Sequence, residues 1–156
     1  MKFLLAAAAL LLAACSGGES DSEAKFQKDL AAATEQARAK LPWYWEHFEA
    51  PEVDEYDFSL KVAMPRRDGQ SGNEDVWVEK IAKSDDKIVG ELMVDPKYLG
   101  DLKGGSIVEF QEGQIIDWAL LRGEELIGHY TTRVMLPRMD REQADGLRSM
   151  FGENPT

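Results

Sequence analysis

The chain has one cysteine, Cys15, and two histidines, His47 and His129, in 156 residues. A single thiol excludes an internal disulfide and any cluster of cysteine metal ligands. The histidines form no HxxxH or HxH spacing. Zinc would need both of them plus carboxylates from separate elements, so neither a metal nor another cofactor is expected. Positive charge is also scarce: 18 Lys and Arg stand against 29 Asp and Glu, a formal net charge of -11. That balance argues against nucleic acid, whose phosphates require clustered Lys and Arg, and against broad contact with anionic head groups. Nucleophile and phosphate motifs are missing as well. Ser71 in GQSG lacks the GxSxG spacing. Lys103-Gly104-Gly105-Ser106 precedes a strand pattern rather than a helix. The stretch from Asp68 to Glu79 has acids at both ends, but Gly72 and Asn73 occupy positions where a calcium loop needs an oxygen ligand and then glycine.

Long apolar runs are absent except at the start. Lys2 precedes an unbroken apolar run from Phe3 to Ala14. It is well short of the about 20 residues that span a bilayer, and it fits a secretory signal. Leu12-Ala13-Ala14-Cys15 resembles the lipobox of bacterial lipoproteins. The resemblance implies that residues 1–14 are a signal peptide and that Cys15 becomes an acylated N-terminus carrying palmitate-type chains. Two or more acyl chains anchor a protein stably without a span. Ser16, where inner-membrane lipoproteins often carry Asp, implies an outer-membrane anchor facing the periplasm. Residues 15–22, with SGGESDS after the cysteine, read as a flexible tether, and 23–151 as a single domain.

Within that domain, Phe26, Leu30, Ala33, Ala37 and Leu41 recur at helical spacing and predict a helix from about Glu23 to Lys40, ended by Pro42. WYWEHF follows. Its aromatic side chains, Trp43, Tyr44, Trp45 and Phe48, could stack on sugars, but they fit better as the pin between helix and sheet. From Tyr56 to Met64 the period is two, which marks a half-buried strand. Two hairpins and one short strand are predicted downstream, in VWVEKIA/KIVGELMV, SIVEF and QIIDWALL/ELIGHYTTRVM, with Trp77 and Trp118 expected in the core. A short helix from Asp140 to Phe151 closes the chain. The fold class is α+β, a helix packed on an antiparallel sheet of about six strands, either open or curled into a small barrel.

In the last hairpin a three-residue loop, Arg122-Gly123-Glu124, would pair Leu120 with Leu126, Trp118 with Gly128 and Ile116 with Tyr130. That keeps an apolar set on one face and explains Gly128 by close approach to Trp118. A two-residue loop would place Trp118 opposite His129. The three-residue register pairs Asp117 with His129 on the other face, with Arg133 further along. The three make the candidate site: His129 as acid or base, with Asp117 favouring its protonated form and Arg133 as an anion contact.

EDVWV, VGELMVDP, LKGGSIVEF, IIDWALL and GHYTTR, in that order, resemble the bacterial domain of unknown function 2314, the YegJ-like family. Gly90, Pro96, Gly104, Asp117, Trp118, Gly128, Tyr130 and Arg133 fall on recurring motif positions of that family. Relatives often carry Glu-His-x-Trp where this chain has Glu74-Asp75-Val76-Trp77. The family supplies a fold but no reaction or cofactor. The expected role is a lipid-anchored, non-catalytic binding or interaction module with an envelope protein as partner. A hydrolase-like enzyme using Asp117 and His129, or an inhibitor or immunity-type protein, are the alternatives. Replacing Cys15 with Ser should release the protein from membranes, and intact-mass measurement of the native protein should show an acylated mature N-terminus.

Overall fold

The computed structural model describes residues 17–84 and 87–156. The expected signal, Cys15 and Ser16, and the hairpin acids Asp85 and Asp86, lie outside the described residues. The element order is α1 (Gly17–Ala39), α2 (Leu41–Glu49), β1 (Glu55–Pro65), β2 (Asn73–Lys83), β3 (Ile88–Leu92), β4 (Ile107–Phe110), β5 (Ile115–Arg122), β6 (Glu125–Gly128), α3 (Tyr130–Met135) and α4 (Arg141–Met150). No helix of the described residues is long and apolar enough to cross a membrane.

The strands form one antiparallel sheet in the order β4-β3-β2-β1-β5-β6. The end strands β4 and β6 do not pair, so the sheet is open rather than a barrel. One face is the core. Leu60, Val62, Val78, Trp118, Leu120 and Ile127 are buried there against the helices. The apolar stripe of α1 meets this face through small residues, Ala33 and Ala37, which let the helix come close. Trp118 Nε1 donates to the Ala37 carbonyl oxygen at 2.9 Å.

Pro42 in the first turn of α2 has no N–H to leave unsatisfied there, so WYWEHF is helical. Its rings pin α2 to the sheet: Tyr44 is fully buried, 5.4 Å from Trp118 and 5.8 Å from Phe58 between ring centroids. The packing reading of the aromatic cluster therefore holds over the sugar-platform reading. Helix α1 begins at Gly17, so the expected tether is helical from that residue on. Asp21 and Glu23 lie in its second turn. Glu23 also accepts hydrogen bonds from Gln27 and from Arg138 beyond α3.

Two sequence expectations in the last hairpin are corrected. The loop has two residues, Gly123 and Glu124, and the pairs are Arg122–Glu125, Leu121–Leu126, Leu120–Ile127 and Ala119–Gly128. Gly123 takes the first central position with φ +59, where glycine is favoured in a tight hairpin turn. The second strand also stops at Gly128. Gly128 (φ +84) and His129 (φ +53) are left-handed, and the chain turns into α3 instead of continuing beside the first half of β5. Trp118 nevertheless crowds Gly128 as expected. A Cβ built there would lie 2.2 Å from the Trp118 carbonyl oxygen. Gly128→Ala should cost about 2–5 kcal/mol from steric overlap and left-handed strain. Gly113→Ala, where a Cβ meets open space, should stay within about 0.5 kcal/mol in denaturant titration.

Candidate functional site

Asp117 and the turn after β6 are held by one carboxylate. Asp117 is fully buried. Its oxygens accept from the Trp118 N–H at 2.9 Å, the Tyr130 N–H at 3.0 Å, and the Thr131 N–H at 2.8 Å and hydroxyl at 2.6 Å. The Tyr130 and Thr131 N–H groups are ones that the first turn of α3 cannot satisfy internally. Burial pushes the Asp117 carboxyl above its ordinary value, and the hydrogen bonds from Thr131, Trp118 and Tyr130 oppose that rise without cancelling it. Asp117 is therefore a cap for α3 donated by a neighbouring strand.

His129 is not the cross-strand partner of Asp117. The Trp118 carbonyl accepts the His129 N–H at 2.9 Å, the arrangement of the shorter loop. The imidazole Nδ1 lies 3.3 Å from the Thr132 hydroxyl, and the ring packs 4.9 Å from Trp77 and 6.0 Å from Phe151. Burial, then the charges of Arg133 and Lys61, lower its pKa to about 4. The expected protonated imidazole is thus replaced by a neutral one. Arg133 is a clamp rather than an anion contact. Its guanidinium donates to the Gly128 carbonyl at 3.0 Å, the Gly152 carbonyl at 2.8 Å and the Asn154 side-chain oxygen at 3.3 Å, and lies 4.2 Å over the Phe151 ring.

The outer face of the sheet carries the more open feature. Ser59, Ala119 and Gly128 are successive cross-strand neighbours on β1, β5 and β6, so three small residues line up across the sheet. Trp77, Leu121, Leu126, Met93 and Val94 rise around this row and enclose about 340 Å³, with His129 at one end. Trp77 is half-buried here, not in the core, because alternation turns it away from Val76 and Val78. Met93 and Val94 are 48% and 66% exposed, which leaves the groove open to solvent. A second lobe of about 440 Å³ shares Asp57, Ser59 and Met93 with the first and reaches Phe48, Lys80 and Ile81.

Strain marks the same face. Among the described residues, the non-glycine residues with positive φ are Asp57, Lys80 and His129, and each lines one of these lobes. Asp57 and Lys80 sit where the β1–β5 and β2–β3 registers slip. Bulges of this kind re-aim side chains, and left-handed non-glycine residues concentrate at functional surfaces. The sequence signal for the groove is the small-residue row, which shows only once the two-residue register is known.

Another polar cluster joins α2 to the hairpin. The buried Glu55 carboxylate is 2.8 Å from His47 Nδ1 and 2.6 Å from the Arg122 guanidinium, and accepts the Glu52 N–H at 3.0 Å. Burial would raise the Glu55 pKa, but its hydrogen bonds to Glu52, Arg122 and His47 together lower it. His47, Glu52 and Glu55 place ligand-type atoms within 4.8 Å of one another, without His129. The Arg122 guanidinium already occupies the charge that a cation would neutralise there.

A family model described as "Uncharacterized protein conserved in bacteria (DUF2314)" matches residues 27–153. Among curated proteins, the chain is similar to "Uncharacterized protein YegJ" of Escherichia coli (strain K12), 28% identical over 76 residues. That alignment covers 49% of this chain and 50% of the relative, so the chain spans about half the length of the curated relative it matches. No solved structure matches the chain.

His129 gives a pH test. Its folded pKa of about 4 lies below the ordinary 6.5, so the unfolded chain takes up the proton first as pH falls. The stability it supports is full above pH about 6.5 and is lost towards pH about 4. Relative to His129→Asn, which tolerates the left-handed backbone, the native protein should lose about 3 kcal/mol more across that window, measured by urea titration.

Proposed function

The chain belongs to the DUF2314 family of uncharacterized bacterial proteins, and from that premise we propose that it is a non-catalytic binding module of the cell envelope. In this reading acylated Cys15 holds it on the outer membrane, facing the periplasm, and the groove over Ser59 and Ala119 takes an apolar group of an envelope protein. The observation that carries it is the division of labour between the two features. Asp117 and Arg133 spend their polar atoms on backbone groups. The groove presents aromatic and aliphatic walls, half-exposed Met93 and exposed Val94, and a floor of small residues. Apolar concave surfaces with a few polar groups at their rim are the usual form of binding sites. Methionine adds an adaptable contact, as it does at many recognition surfaces.

The hydrolase reading finds less support. A general base needs a proton within about 3 Å and a partner that orients it. His129 has Trp77 and Thr132 beside it, while Asp117 is enclosed under α3.

A photo-crosslinking residue at Val94 tests the proposal in living cells. It should give a discrete adduct with one envelope protein, and Leu126→Asp in the groove wall should abolish that adduct. The same group at fully exposed Val53, outside the groove, should give none. Adducts of equal pattern from Val94 and Val53, or no adduct at Val94, would overturn the reading.

A further inference from the structure

We propose that the cavity between α1, α3 and the sheet, with Lys61 in its wall, binds a small monocarboxylate that carries an apolar body. Lys61 lies in the middle of β1, cross-strand to Trp77 on one side and Asp117 on the other. It is only 8% exposed. Its ammonium donates one hydrogen bond, to the Thr131 hydroxyl at 3.2 Å. Among the described residues no carboxylate lies within ion-pair distance of it. Asp117, its partner on β5, is turned to Thr131, Tyr130 and Trp118 instead, and Asp75 on β2 acts on Lys61 through its charge but makes no ion pair with it.

A buried ammonium without an ionic partner is costly, because the water it loses is not replaced by an opposite charge. A carboxylate entering the cavity would supply that charge and accept the ammonium's remaining N–H groups. The cavity is about 480 Å³, within the range of small-molecule sites. Phe26 and Leu30 of α1, Ile116 of β5 and Met135 of α3 give it an apolar wall beside Lys61 and Thr131. Asp75, also in the lining, is exposed at the solvent edge. Its negative charge disfavours a second anionic group, which selects a monocarboxylate over a phosphate ester or a dicarboxylate. The cavity shares no lining residue with the 340 Å³ groove, so it is independent of the partner-binding reading.

Octanoate tests the assignment, with octylamine and 1-octanol as probes of the same tail. Calorimetry on the full chain carrying Cys15→Ser should show saturable octanoate binding and at least about tenfold weaker binding of the other two. Lys61→Met keeps an unbranched stem without the ammonium and should weaken octanoate by at least about tenfold. Asp75→Asn should strengthen it. The Lys61 ¹³Cε resonance of the unsubstituted site should shift on addition of octanoate, a readout that holds even if Lys61→Met folds poorly. Equal affinity for the three probes, an unshifted Lys61 resonance, or unchanged octanoate binding in a folded Lys61→Met protein would overturn the proposal. Leu126→Asp should leave octanoate binding intact, which separates this site from the groove.

Discussion

The fold depends on where a single buried charge finds its hydrogen bonds. Asp117 sits in β5 with no solvent contact, and four donors converge on its carboxylate. Two of them are the first N–H groups of α3, which would otherwise be unsatisfied in the interior. The bonds fix the point at which sheet becomes helix. Once α3 starts at Tyr130, Arg133 is one turn along and reaches the carbonyls of Gly128 and Gly152. The C-terminal segment is then drawn against β6, and Phe151 comes under the guanidinium. Removing the carboxylate would leave buried donors unpaired, the costlier half of a lost hydrogen bond.

The same transition shapes the outer face. Gly128, the β6 neighbour of Ala119, carries no side chain, and Ser59 and Ala119 carry short ones, so the row stays low. The bulges at Asp57 and Lys80 add twist beside that row, and His129 closes one end. The groove is thus a product of register, small residues and local strain together, not of any one side chain.

Much of the architecture was legible because it is local. The apolar stripe of α1, the alternation in β1 and the turn residues of the hairpins each signal their element within a few positions. The open edges were not legible, since closure depends on whether β4 and β6 meet. The last hairpin misled for two physical reasons. Arg122-Gly123-Glu124 accommodates a loop of either length, and the apolar pattern beyond it fits two registers. The run after Gly128 is rich in β-branched residues, Thr131, Thr132 and Val134, which favour strand locally. The donors that Asp117 supplies with an acceptor belong to tertiary structure, and they override that preference. Of the three candidate residues, the chain brings Asp117, His129 and Arg133 to one turn, but gives them capping, packing and clamping roles.

Leu126 and Phe151 form a parallel bridge at the border of the sheet. Gly152 donates to the Leu126 carbonyl, so the short C-terminal segment lies parallel to β6 along its outer edge. An uncovered strand edge is a template on which another chain can add a strand and begin a growing stack. Here that template is already occupied by the chain's own tail. At the opposite border β4 is four residues long, with Glu109 paired to Lys87 across the strands. Short length and charge make it a poor seed. The protein thus guards both borders of an open sheet against self-polymerisation, one by covering it and the other by keeping it brief.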